Sequence, residues 1–362
     1  MKLRMQLTVL FILICLGSIY AAGTNGAEFL TINTDARMSA MGNASAAVLD
    51  DVDSLFWNPA FAGLTDHREV SLSSMKLNGF EDGVGGSKLI SFGGIYSLPD
   101  RPGGVGPFKS YGNFGVTFLY ADYGKVPVTT ITPDAVDSFT PYNVAAGLSY
   151  GNRIKQHAFG INLKYIHQSI YTYSSSGMSA DLGYAYEFNK HKKLKGLTMG
   201  ASILHLGFQS PFIEVSDPLP LSFKMGAAYK FFLQDVAKIF TKKKIFKSID
   251  EDALLSIDFT LQQGYGPTIN LGQEFRFFDL VYLRTGVEIL ETNRAFTAGF
   301  GVMYNSKSGR YQVDFAWVPQ RLLGDNFRVT FNYMWARTLR SGAINTNLPK
   351  KTLTPIDSLD LE

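Results

Sequence analysis

The stretch NFRVTFNYMW, Asn326–Trp335, alternates residue by residue. Phe327, Val329, Phe331, Tyr333 and Trp335 share one parity; Arg328, Thr330, Asn332 and Met334 share the other. A two-residue period puts the two sets on opposite faces of a strand. The same dyad returns in about fourteen segments between Glu69 and Ala336. A soluble sheet turns such an apolar face inward to a core, whereas a transmembrane barrel turns it outward to lipid. The fold depends on which of the two applies.

The start of the chain bears on that choice. Lys2 and Arg4 precede an apolar run from Leu7 to Ile19, and small residues follow at Ala21, Ala22 and Gly23. This is the pattern of a Sec signal peptide, residues 1–22, cut near Ala21 or Ala22. The run is short for a membrane-spanning helix. Cys15 raises a lipoprotein reading, but Ile14 before it is bulky where that processing wants a small residue. Since Cys15 is the single cysteine, the mature chain holds none and is no disulfide scaffold.

Composition points the same way. Aromatic residues make up 14% of the chain and charged residues only 18%, below the usual quarter. An exported, aromatic, strand-rich chain without apolar helical spans fits an outer membrane of the Gram-negative type. A secreted β-sandwich or β-helix is the competing reading. A net charge of +3 gives no footing for nucleic acid.

Turn signals and dyads together predict strands near 68–77, 87–97, 112–122, 140–150, 156–172, 178–188 and 196–206. Seven more are predicted near 220–232, 252–263, 267–278, 280–291, 294–305, 309–319 and 326–337. Fourteen is an even number, and most segments reach the roughly 9–11 residues a tilted spanning strand needs. Closing them into an antiparallel barrel, all-β over 66–337, also removes every edge strand.

The polar parity decides between core and lipid. It carries Asn162, Lys164, Asp181, Glu187, Lys224, Asp258, Glu274, Arg276, Arg284, Glu288, Asp314 and Arg328. A soluble barrel would bury these ions at several kcal/mol each unless well paired. In a membrane barrel they face a wet or plugged lumen. The opposite parity, including Phe159, Ile161, Leu163 and Tyr165, Leu255, Ile257, Phe259 and Leu261, and Tyr311, Val313, Phe315 and Trp317, is then lipid-facing. The turns divide as well. Arg153, Lys155, Lys190, Lys192, Lys193, Lys195 and the lysines of 234–250 fall on one side; Glu81, Asp82, Asp134, Asp137, Glu214 and Asp217 fall on the other. With the N-terminus starting on the periplasmic side the first set is periplasmic, where a basic rim suits anionic lipid heads; the competing reading is that charged turns are simply solvated.

Residues 23–65 carry no strand pattern. They hold an Asp-rich turn, a short helical stretch over Val52–Trp57 that Asp50 or Asp51 is placed to cap, and then Pro59. Asn58 and Pro59 are read as ending that helix and turning the chain into the first strand. A fourteen-stranded barrel is wider than its side chains fill, which leaves room for this segment as a luminal plug.

The segment GAEFLTINTDARMSAMGNASAAVLDDVDSLFWNPA (26–60) resembles the N-terminal signature of PorV/PorQ outer-membrane proteins, relatives of the FadL long-chain fatty-acid transporters. Phe56 and Trp57 before Asn58, Pro59 and Ala60 resemble the hatch signature of that superfamily. Further likeness lies in GLSYGNRIKQHAFGINLKYIHQ (147–168), SADLGYAYEF (179–188), LPLSFKMGAAYKF (219–231) and VDFAWVPQRLLGDNFRVTFNY (313–333). The resemblance implies a fourteen-stranded barrel with an N-terminal hatch. It implies either of two roles. One is binding or passing a hydrophobic small molecule such as a fatty acid. The other is a PorV-like partnership with type IX secretion proteins and their cargo.

No catalytic set emerges. His67, His157, His167, His191 and His205 show neither triad nor metal-ligand spacing, and the GVGG at 83–86 lacks a strand-to-helix setting. The expected protein is not an enzyme, and needs no metal or cofactor. An outer-membrane lipase or protease is the catalytic alternative. Within the hatch, Arg37, Met38 and Met41 have two readings. Met side chains line an adaptable apolar pocket while Arg37 meets a carboxylate of the ligand. In the other reading Arg37 pairs with Glu274, Glu288 or Asp314 and pins the plug. The polar residues 338–362 read as a periplasmic tail of little order.

Overall fold

Strands beginning at Arg68 form a closed antiparallel barrel of fourteen in the computed structural model, which describes residues 25–77, 86–98, 111–129, 135–189, 194–233, 252–289, 294–306, 308–320 and 324–335. The wall is β1 (Arg68–Lys76), β2 (Lys88–Ser97), β3 (Asn113–Asp122), β6 (Tyr142–Ile154), β7 (His157–Ile170), β8 (Tyr173–Glu187) and β9 (Leu197–Gln209). It continues through β10 (Ser222–Phe232), β11 (Asp252–Gln262), β12 (Thr268–Phe277), β13 (Val281–Ile289), β14 (Arg294–Asn305), β15 (Arg310–Gln320) and β16 (Gly324–Trp335). The closing seam pairs Arg68 with Trp335 and Leu72 with Phe331. All fourteen expected strands are present, and the wall is transmembrane.

The faces follow the dyad. Leu163, Ile257, Phe315 and Phe331 point outward and are exposed, while Asn162, Asp181, Asp258, Arg284 and Asp314 are buried inside. An outer surface of exposed apolar side chains all round a closed sheet is what a bilayer solvates. Phe331 sits mid-strand opposite Leu72 and Val313. Phe331→Arg is therefore expected to cost about 2–4 kcal/mol, read as a lowered urea midpoint in micelles. An unchanged midpoint would refute the outward assignment.

Chain direction defines two ends. At the near end β1 begins and β16 finishes; the turns with Arg153, Lys155 and Lys195 lie there. At the far end lie Glu214, Asp217 and a hairpin absent from the sequence expectation, β4 (Val126–Thr129) with β5 (Ala135–Phe139), which carries Asp137. Val126, Val128 and Val136 gave that stretch too few residues between breakers to stand out. The expected signal segment 1–22 with Cys15 lies outside the described residues. So do Glu81, Asp82, Asp134, Lys190, His191, Lys192, Lys193, the lysines of 234–250 and the tail 338–362.

Residues 25–67 run through the barrel interior. Asn25 and Gly26 bond to Gln263 O and Pro218 O at the far end, while Ala62 O and Thr65 O accept from Asn113 at the near end. Between them lie 3₁₀ turns at Glu28–Thr31 and Val52–Phe56 and two short helices, α1 (Ala36–Ala40) and α2 (Phe61–Leu64). The second helix corrects the expectation that Asn58 and Pro59 lead straight into the first strand. The Asn58 side chain accepts from Ala60 N, its carbonyl accepts from Phe61 N, and the turn so formed opens α2.

Candidate functional site

The plug is held by bonds that local sequence rules supply first. Asp35 starts α1 by accepting from the amides of Arg37 and Met38, and Asp51 starts the 3₁₀ turn by accepting from Ser54 N. These two turns bring Arg37, Asp50 and Asp51 together. Arg37 donates from Nε and Nη2 to both oxygens of Glu274 on β12, at 2.8 and 2.9 Å. Its Nη1 reaches Asp51 at 2.7 Å and Asp50 at 2.5 Å. Glu274 also takes Arg284 Nε at 2.6 Å, and Arg284 Nη1 reaches Asp314 at 2.7 Å. A single ion chain thus runs from the plug through β12 and β13 to β15.

Bidentate guanidinium–carboxylate contacts fix both distance and plane. Asp50 is the half-exposed member; Asp51, Glu274, Arg284 and Asp314 are buried. Glu288 does not meet Arg37 but accepts from Asn43 at 3.0 Å. Arg276 lies apart from the plug, paired with Asp252 and Asp279 near the barrel rim.

Other luminal groups grip the plug's backbone. Asp258 accepts from Ala46 N at 2.6 Å, Asn270 donates to Gly42 O at 2.5 Å, and Thr297 donates to Ala40 O at 2.9 Å. Arg328 donates to Ser39 Oγ, and Lys224 to Ser45 Oγ at 2.7 Å with Trp57 under its ammonium. Asn58 spans the gap from Ala46 O to Tyr184 O. Met38 and Met41 pack with Ala47, Val48, Ala228 and Leu254. Phe56 is partly buried against the far-end cluster described below, and Ala60, at the N-terminus of α2, is buried.

The sequence reading missed a ring of inward glycines that admits the plug. A Cβ on Gly160 would stand 2.0 Å from Pro59 O, and one on Gly200 1.9 Å from Ala46 O. On the opposite wall a Cβ on Gly286 would stand 2.1 Å from Gly42 N, and one on Gly272 2.5 Å from Met41 O. Gly151, Gly160 and Gly183 are neighbours in register, as are Gly272 and Gly286. Two smooth tracks therefore meet Pro59–Gly63 and Met41–Gly42. Glycine at inward parity was the available signal.

At the far end the interior becomes apolar. Met75, Leu77, Leu89, Leu119, Ala145 and Ile166 cluster with Leu219 around Phe29 and Leu30 of the plug. Among the described residues no group of three or more His, Cys, Asp or Glu stands placed to hold a metal.

Two groups of the plug segment titrate, His67 at its near-end base and Asp35 deeper in the barrel beside Thr330 of β16. Burial pulls His67 down, but hydrogen bonds to Asp66 and Glu69 outweigh it and hold the imidazole at about 9. Burial, then the charge of Asp51, raises Asp35 to about 7. A raised His pKa gives stability that is full below 6.5 and lost as pH rises through 9. A raised Asp pKa also gives stability lost with rising pH, here through 7. The urea midpoint in micelles should therefore fall from pH 6 to pH 10, and His67→Phe should flatten the upper part. A midpoint rising with pH would contradict both.

No family model matches the chain, and no curated protein matches its sequence. Its fold is similar to that of the Ralstonia pickettii toluene transporter TbuX, at 11% identity, covering 83% of this chain and 98% of that one, with TM-score 0.52. The monoaromatic hydrocarbon channel CymD is similar at 11% identity and TM-score 0.52, covering 85% of this chain and 98% of that one. Identity this low carries the architecture alone.

Proposed function

We propose that this chain is an outer-membrane channel of FadL-like type that binds and passes a hydrophobic small molecule, and is not an enzyme. The observation that carries this reading is the pinned plug facing an apolar far-end interior. A barrel closed by its own N-terminal segment excludes free diffusion of ions and polar solutes. An apolar cluster beside that segment, with Phe29 and Leu30 on the plug side, offers a surface that only apolar solutes gain by occupying. Toluene, for the transporter TbuX, and monoaromatic hydrocarbons, for the channel CymD, are of the same broad class. Fatty acid is the substrate the sequence resemblance implies.

In this reading residues 1–22 are a signal peptide, 23–65 the hatch, 66–337 the barrel in the outer membrane of a Gram-negative-type bacterium, and 338–362 a periplasmic tail. The near end faces the periplasm. Deleting residues 27–60 should raise conductance in planar bilayers well above the intact chain; equal conductance would show that the segment does not close the pore. Purification in native lipid then separates the two roles. Retained hydrophobic small molecules support transport, whereas retained cargo or secretion subunits support the PorV-like alternative.

A further inference from the structure

We infer that the interior presents His205 Nε2–H as a fixed donor to an uncharged oxygen on the ligand, so that the preferred substrate is an amphiphile with a neutral polar head. This deepens the channel reading above and rests on it. Strand β9 carries a bulge against β8, where Ala180 pairs with Leu206 but Leu182 pairs with Ile203. The extra residue turns Leu204 and His205 both inward, and His205 adopts a left-handed backbone, φ 62°. A β-bulge of this kind re-aims a side chain, and a non-glycine residue held there stores strain.

The re-aimed imidazole has one determined protonation. Lys164 Nζ lies 2.8 Å from Asp181 and 2.8 Å from His205 Nδ1. An ammonium paired with a carboxylate only donates, so Nδ1 accepts and the proton sits on Nε2. Asp181 also accepts from His205 N at 2.8 Å, which locks the bulge to the same carboxylate. His205 is 2% exposed, yet its Nε2 has no partner among the described residues. A structural histidine at such a place would normally spend both nitrogens on protein groups, because a buried unmade donor is costly.

The surroundings select the ligand's chemistry. Ile166, the next inward residue beyond Lys164 on β7, belongs to the far-end apolar cluster, so an apolar body and the imidazole head-site adjoin. Lys164 is paired with Asp181, and Lys224, the other cation acting on His205, is balanced by Asp258 and Glu288; with the imidazole uncharged, no unpaired positive charge is left to repay a carboxylate for losing its water. An ester, alcohol or ketone oxygen meets Nε2–H without that cost. A plain hydrocarbon leaves the donor unmade.

The test uses the full chain in lipid nanodiscs, with methyl decanoate, decanoate and n-undecane as probes, and retained probe measured against empty nanodiscs. Wild type should retain the ester over undecane by roughly threefold to tenfold, the worth of one hydrogen bond. His205→Phe should erase that preference while still retaining undecane. In ¹⁵N-histidine-labelled wild type, the Nε2–H resonance assigned by loss in His205→Asn should move with the ester and stay with undecane. An unmoved resonance, equal retention of ester and undecane, or a preference for decanoate overturns the inference while leaving the channel reading standing. Retention of none of the three overturns both.

Discussion

Arg37→Leu is expected to destabilise the protein by about 3–5 kcal/mol and to open the pore, because it leaves buried carboxylates without their cation. Arg37 bonds Asp50, Asp51 and Glu274; burial pulls its guanidinium down, but the charges of these carboxylates outweigh it and hold the group well above the ordinary range. Desolvation of Arg37 is the largest single effect, so the partners that offset it set the outcome. Glu274 keeps Arg284 after the change, whereas Asp51 keeps only Ser54 from among these bonds. The loss therefore falls on the plug rather than on the wall. Planar-bilayer conductance should rise toward that of the chain lacking residues 27–60, alongside a lower urea midpoint. Arg276→Leu is the control. It breaks the pairs with Asp252 and Asp279, which do not touch the plug, so it should lower the midpoint and leave conductance unchanged. Equal conductance for Arg37→Leu and wild type would mean that this chain of ions does not hold the plug shut. Arg37→Lys should fall between, since an ammonium cannot span both oxygens of Glu274.

The wall was legible because its information is local. A dyad needs only a residue's immediate neighbours, so Arg284, Glu274 and Asp314 could be placed inward before any partner was known. What they bond was not legible. Arg37 and Glu274 are 237 residues apart, and the choice of Glu274 over Glu288 depends on a register that the alternation does not state. The second helix was closer to reach. Asn58–Pro59 reads as the end of one helical stretch, yet Asn followed by Pro is equally a signal for the start of the next. At β9 the strand is as expected, but alternation alone misstates its faces for a definite reason. The run Ser202–Phe208 keeps an apparent alternation, but one extra residue after Ile203 reverses its parity and turns both Leu204 and His205 inward. The inward glycines were visible one at a time. Their common purpose needs the plug's path, which no strand pattern encodes.

Those glycines give the second large effect, and its sign depends on the plug. Gly160→Ala and Gly286→Ala should each cost about 1–3 kcal/mol in the intact protein, and more in combination, by overpacking against a backbone that cannot yield. The colliding atoms are Pro59 O at 2.0 Å and Gly42 N at 2.1 Å, both main-chain and both tied into turns or luminal bonds. A flexible side chain would have moved aside; a backbone pinned by Thr297, Asn270 and Asn58 must shift the whole segment. Gly86→Ala, just before β2, is the control, because among the described residues a Cβ there meets nothing within 4 Å. Strand glycine is otherwise a weakness, and alanine in its place gains about 0.5–1 kcal/mol. In the barrel lacking residues 27–60 the obstacle is gone, so Gly160→Ala and Gly286→Ala should become neutral or stabilising. Urea midpoints of each variant against its own parent, with and without residues 27–60, decide it. A cost that persists without the plug would assign the glycines to strand bending, and a cost that reverses assigns them to the passage of Met41–Gly42 and Pro59–Gly63 along the wall.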